Sequence, residues 1–191
     1  MNKLSTILIV LVLISCDNKK GLVSKIKDDN LVEQVNVNNS NYFDFDKVDY
    51  YFKDIEPNVF FENYKNPDYK NKESEVYKYM QIVEGYYPND LLDELFMINL
   101  AKFGYKKKII DSNRFGNLNS IFSETKCDEG YVMACTPVYR DILIFYKEGR
   151  IIGIAKICFG CRQYHIIGTD KNLEDFGQCG GYEKLQDLLS K

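Results

Sequence analysis

The sequence has no tryptophan, one histidine and four prolines. The lone His165 limits imidazole chemistry to a single position. An H-E-x-x-H zinc helix needs two histidines, and any Ser-His-Asp arrangement would have to pass through this one. The chain also lacks a nucleophile elbow, a G-x-x-x-x-G-K-S/T phosphate loop and a G-x-G-x-x-G turn. Twelve glycines and four prolines are too few for a collagen-like or low-complexity chain. Neither sign of charge dominates, with 25 basic against 28 acidic residues and a net charge of −3. That balance lacks the basic excess of a nucleic-acid binder, so no nucleic-acid partner is expected. What is present is ordinary: 191 residues, 45% hydrophobic, 28% charged and 14% aromatic. Such a chain holds one globular domain with a core that needs no metal to fold.

Long apolar runs are missing too, but a short one opens the chain. Met1-Asn2-Lys3 precedes Leu4-Ser5-Thr6, and Ile7 to Ile14 is unbroken hydrophobe before Ser15-Cys16 and the polar Asp17-Asn18-Lys19-Lys20. A positive start, a short apolar stretch and a small residue at its end are the parts of a secretory signal peptide. At about 1.5 Å per residue, Leu4 to Ile14 cannot cross a hydrocarbon core of about 30 Å as a helix. Leu13-Ile14-Ser15-Cys16 resembles the lipobox of bacterial lipoproteins. The resemblance covers the signal segment only. It implies cleavage between Ser15 and Cys16, a thioether-linked diacylglycerol on Cys16, and a folded part held outside the cytoplasm at a cell-envelope membrane. One acyl chain anchors marginally, whereas two or three on one cysteine hold a protein durably. Asp17 does not decide which membrane, because sorting rules differ between lineages.

This divides the chain into a signal peptide over 1–15, a lipidated cysteine and polar tether over 16–40, and a globular domain over 41–191. Within the tether, Leu31 to Val37 has the pattern of an added edge strand. Tyr42 to Tyr105 carries 17 of the 27 Phe and Tyr. Phe43-Asp44-Phe45-Asp46 alternates like a strand before Tyr50-Tyr51-Phe52 breaks the period. Asn58 to Lys72, cut by Pro67, reads as loop. Ser74 is placed to cap a helix with Val76, Tyr79, Met80 and Val83 on one face and Gly85 beyond its end. A second helix is expected from Pro88-Asn89-Asp90. Its apolar Leu91, Leu92, Leu95, Phe96, Ile98 and Leu100 leave little polar face, which predicts a central position, with Lys106-Lys107-Lys108 as a solvated face near its end. The second half reads as strands over 139–146, 150–157 and 164–167, the first two joined by a tight turn at Gly149. Gly180-Gly181 leads into a final helix with Leu185, Leu188 and Leu189 as its stripe. The fold class is therefore α+β, a single domain with N-terminal helices packed on a small C-terminal antiparallel meander.

Five cysteines remain after Cys16: Cys127, Cys135, Cys158, Cys161 and Cys179. Export places them where disulfides persist, and an odd count leaves a free thiol or an intermolecular bridge. The close pairs are Cys158 with Cys161 and Cys127 with Cys135. Pairing across the two groups, such as Cys135 with Cys158, is equally compatible. Bridges between the close pairs would shut short loops and stabilise toward the low end of about 2–4 kcal/mol. Cys158-Phe159-Gly160-Cys161 is also a C-x-x-C, the spacing of redox pairs and of zinc knuckles. In thioredoxin-like folds that motif opens a helix early in the chain, whereas here it follows a hairpin and precedes strand-like residues. Zinc needs four ligands, for which His165, Cys179, Cys127 and Cys135 are the candidates to join Cys158 and Cys161. No cofactor is expected otherwise, and no residue set reads as catalytic. The expectation is a lipid-anchored envelope protein with a non-enzymatic role in binding, inhibition or envelope structure, its partners being the membrane through Cys16 and an envelope protein. The alternative is an extracytoplasmic thiol-disulfide or zinc protein centred on Cys158 and Cys161.

Overall fold

Ile142 to Phe145 are apolar at consecutive positions, the pattern of a strand packed on both faces. They form β3 (Asp141–Lys147), which pairs antiparallel with β4 (Arg150–Cys158) as the expected hairpin. The turn between them has Glu148 at φ 50° and Gly149 at φ 77°, the two positive values that a type I′ turn requires. β5 (Gln163–Ile167) completes the meander. The structure, a computed structural model, describes residues 40–131 and 133–190. Ser15, Cys16, the tether up to residue 39 and the edge strand expected over 31–37 lie outside the described residues.

The sheet is larger than the expected meander. β1 (Lys47–Phe52) pairs antiparallel with β3, and β2 (Lys106–Ile109) pairs antiparallel with β1, giving the order β2-β1-β3-β4-β5. The alternating residues 43–46 precede the strand instead of forming it. β1 breaks the alternation because it lies inside the sheet, with Val48 and Tyr50 buried on one face and Asp49 and Tyr51 on the other. Lys106 to Lys108 are not on a helix end but on the edge strand β2, where lysines discourage pairing with another chain.

Asn58 to Lys72 is not loop: it holds most of α1 (Pro57–Lys65) and a short 3-10 turn at Pro67–Lys70. Each starts at a proline, which suits a first turn whose N–H groups have no helical partner. α2 (Glu75–Val83) is capped as expected, with the Ser74 hydroxyl accepting from the Tyr77 N–H at 3.0 Å. α3 (Glu94–Lys102) starts later than Pro88, at Asp93, whose carboxylate accepts the Leu95 N–H at 3.0 Å. α4 (Phe115–Ile121) and α5 (Gly181–Ser190) complete the helices.

Helices cover both faces of the sheet. On one, α4 and α5 bring Leu118, Ile121, Leu185 and Leu188 onto Val48, Leu143, Phe145, Ala155 and Ile157. Phe43, Phe122, Phe145 and Phe176 meet there, Phe43 stacking on Phe145 at 4.5 Å between centroids. Gly153 makes the stack fit, since a Cβ there would run into the Phe43 ring. A phenylalanine buried this fully contributes about 2–3 kcal/mol. On the other face Ile82 of α2 and Phe96 and Leu100 of α3 pack on Tyr51, Ile142, Ile144 and Ile154. α1 and α2 share a smaller cluster of Ile55, Phe60, Met80 and Val83. α3 is not central: Leu95 and Ile98 are 63% and 60% exposed, and Leu92 just before it is 84% exposed. A helix laid on one side of a sheet buries one stripe, and the apolar residues on its remaining sides stay in water. Among the described residues no helix is long and apolar enough to cross a membrane.

Candidate functional site

The sulfur chemistry collects at the Cys158 end of β4. Cys135 is joined to Cys161 with Cα atoms 6.0 Å apart, and Cys127 to Cys179 at 5.8 Å. Cys158 is left as a buried free thiol. Neither of the close pairs forms, nor does Cys135 with Cys158. Alternation along β4 aims Cys158 to the same side as Ile154 and Lys156, where it packs with Tyr139 and its sulfur accepts the Val138 N–H at 3.3 Å. Cys161 lies beyond the strand in the turn and meets the 133–136 loop. Gln163 ties down that loop a second time, donating to the carbonyls of Met133 and Cys135 at 2.9 and 2.8 Å. The bridges span 52 and 26 residues, so they close longer loops than the near pairs would.

Behind the thiol stands a residue the sequence reading passed over. Lys156 is fully buried in β4. Its ammonium donates to three carbonyls, Gln81 at 3.3 Å, Gly85 at 2.6 Å and Tyr87 at 2.8 Å, and lies 4.5 Å from the Tyr139 ring centroid. Three donors meet three acceptors, and Gln81 sits in the last turn of α2, where the helix dipole favours a cation. Burial holds the Lys156 pKa well below the ordinary lysine value. One strand over, His165 is the register partner of Lys156. His165 Nε2 lies 2.8 Å from the Pro88 carbonyl, and since a carbonyl can only accept, the Nε2 nitrogen carries the proton. Burial lowers the His165 pKa, with Lys156 adding to the effect and the Pro88 bond opposing it. Lys156 and His165 together clamp the segment between α2 and α3, which contains a cis Tyr87–Pro88 bond. A lone lysine inside Ile154-Ala155-Lys156-Ile157 was the available signal.

A cavity of about 380 Å³ opens beside this clamp, lined by Tyr86, Met133, Ala134, Tyr139, Arg162, Gln163 and Tyr164. The Arg162 guanidinium stacks 4.8 Å from the Tyr131 ring centroid and pairs with Glu183. Tyr86 is 72% exposed and meets the His165 ring edge-on. Tyrosine, arginine and methionine at the surface are the residues of recognition. The sequence-predicted residues are thus divided. Cys135, Cys158, Cys161 and His165 belong to this end of the sheet, while Cys127 and Cys179 brace the neighbouring 127–131 and 175–179 loops, where Asp175 accepts the Cys127 N–H.

With Cys161 bridged to Cys135, the zinc reading keeps only Cys158 and His165 nearby. Among the described residues no group of three His, Cys, Asp or Glu is placed to hold a metal. Comparison with known proteins finds no matching family model, no matching curated protein and no matching solved structure.

Proposed function

We propose that this chain is a lipid-anchored cell-envelope protein whose domain binds a partner through the aromatic cavity beside Cys135–Cys161, without catalysis. The observation that carries this reading is the pair of disulfides in the domain that follows the lipobox. Disulfides persist outside the reducing cytoplasm, the side to which a lipobox signal delivers a chain. The groups that would do acid-base work near the cavity support a binding role. Each Lys156 N–H and the His165 Nε2–H already has a backbone carbonyl. The remaining lining offers rings, an amide and a guanidinium.

The test is metabolic labelling with palmitate, comparing the natural chain with Cys16→Ser, joined to intact-mass analysis with alkylation after denaturation. Incorporated label that vanishes in the variant, two disulfides and one alkylated thiol are the expected results. An unlabelled natural chain overturns the anchor. A reproducible catalytic activity lost on one cavity substitution overturns the binding role.

A second reading, thiol-disulfide exchange, rests on the Cys158 thiol standing three positions before the bridged Cys161. Attack by the Cys158 thiolate on the Cys161 sulfur would release Cys135 as thiolate and form Cys158–Cys161, with no net oxidation. It ranks second because Cys158 is only 3% exposed, and exchange needs an accessible thiolate. Alkylation of Cys158 in native protein at the rate of an exposed thiol would reverse that order.

A further inference from the structure

We infer that the exposed apolar face of α3 rests on the lipid surface that holds the anchor, an inference that depends on Cys16 being lipidated. Leu92, in the turn before the helix, and Leu95 and Ile98, at three-residue spacing, stand 84%, 63% and 60% exposed. Leu92 and Ile98, with Leu91, Met97 and Ile151, also line a groove of about 590 Å³ that is mostly apolar, and Leu95 extends the exposed apolar surface outside it. Single exposed hydrophobes need no explanation, but a contiguous patch marks an interaction surface.

Two observations select lipid over a second copy. The first is extent. A nine-residue helix is about 13.5 Å long, and a stable dimer buries about 800 Å² on each partner, more than this short stripe and shallow groove present. A patch of this size is effective where something else supplies the affinity. The second is the length of chain outside the described residues. Residues 16–39, outside the described residues, number 24, and at no more than about 3.6 Å each they span at most about 86 Å. A lipidated Cys16 therefore bounds the distance of the domain from the bilayer and gives it the effective concentration of an intramolecular contact. Of the acids at the start of α3, Asp90 and Asp93 turn a carboxylate oxygen to the Leu92 and Leu95 N–H groups at 2.9 and 3.0 Å, and Glu94 is exposed on the groove wall. Arg150, on the same wall, is exposed and only loosely paired with Glu148 at 3.8 Å, so its guanidinium can meet headgroup phosphate.

The consequence is an orientation. Ile151, on the groove, is the second residue of β4, and Cys158, beside the aromatic cavity, is its last. They stand seven positions apart along the strand, about 23 Å. An α3 face seated on lipid leaves the cavity at the other end of β4 from the groove.

The absence of tryptophan supplies the test. The full lipidated chain carrying Leu95→Trp, reconstituted in phosphatidylethanolamine–phosphatidylglycerol vesicles, is compared with and without brominated acyl chains. Lys184→Trp, on the exposed side of α5, serves as control. The indole fluorescence of the Leu95→Trp chain is expected to fall more than two-fold with brominated lipid, and that of the Lys184→Trp chain by less than a tenth. Adding Leu92→Glu and Ile98→Glu to the Leu95→Trp chain removes the quenching. Equal quenching of the two single variants in chains that float with the vesicles overturns the inference while leaving the anchor intact. A Leu95→Trp indole that is unquenched but shielded by concentration-dependent cross-linking also overturns it, in favour of a second copy. A chain that carries no acyl group and fails to float overturns the anchor and the inference together.

Discussion

On the face that α4 and α5 cover, the strands bury Val48, Tyr50, Leu143, Phe145, Ala155 and Ile157. On the face that α2 and α3 cover, Asp49 and Lys156 are fully buried among Tyr51, Ile142, Ile144 and Ile154, with His165 partly buried beside them. The Asp49 carboxylate lies 2.8 Å from the Lys107 ammonium and 3.4 Å from that of Lys47, so it holds the edge strand β2 to β1. Lys156 and His165 hold the segment that leads from α2 to α3. Replacing a buried ion pair by hydrocarbon often costs nothing, so such groups are weak evidence for stability. Their effect here is placement. One face supplies cohesion, and the other fixes where the short helices, the edge strand and the cavity wall sit.

The comparison breaks most directly by removing a ring from the apolar face. Phe145→Ala should destabilise by about 4 kcal/mol through lost contact and cavity, read as a drop in denaturant midpoint relative to the natural chain that is the same at every pH between 5 and 8. A cost below about 1 kcal/mol would mean that cohesion lies elsewhere. Removing the longer bridge by Cys127→Ser with Cys179→Ser should cost about 3 kcal/mol, since a loop of this size constrains the unfolded chain strongly. This exceeds what a bridge between near pairs would give. Lys156→Met should cost less, about 2 kcal/mol, because three carbonyls lose their donor but the charge goes with it. Its signature is local: amide exchange should quicken over residues 84–93 and remain slow in β3 and β4. Uniformly faster exchange would make Lys156 a cohesive residue like Phe145.

The hairpin, β5, the cap at Ser74 and the last helix were legible because each rests on local rules: turn chemistry at Gly149, a capping hydroxyl, and periods of 2 or 3.6. β1 was obscured for a tertiary reason. Its place inside the sheet gave it buried side chains on both faces and erased the alternation. α1 was hidden by its Asn and Lys content, because a helix that buries little needs little pattern. The apolar excess of α3 was visible, but one sequence offers the same evidence for a central helix and for an exposed binding stripe. The cysteines show the sharpest limit. Sequence alone left the close pairs and pairings across the two groups equally open, whereas strand alternation aims Cys158 at Tyr139 and the turn beyond β4 brings Cys161 to the loop at Cys135. Lys156 was missed for a related reason, since the carbonyls that satisfy it come from residues about 70 positions away.

The smallest expected effect isolates the clamp itself. Burial holds the folded-state His165 pKa below its ordinary value. Between that lowered value and about 6.5, the unfolded chain binds a proton that the folded chain refuses. Stability therefore rises with pH across this window, and acidification through it is destabilising, by at most about 1.4 kcal/mol per pH unit for one proton. His165→Gln retains a donor for the Pro88 carbonyl but does not titrate. The difference between natural chain and variant should be flat above about pH 7 and should grow in the variant's favour on acidification. The half-buried Asp141 carboxyl, raised by desolvation and bonded by the Tyr50 hydroxyl at 2.5 Å, titrates in both proteins and cancels in the comparison. Phe145→Ala supplies the contrast, because a change on the apolar face should shift both limbs of the pH profile equally. If the His165→Gln difference is independent of pH between 5 and 8, the imidazole is solvated and the clamp depends on Lys156 alone.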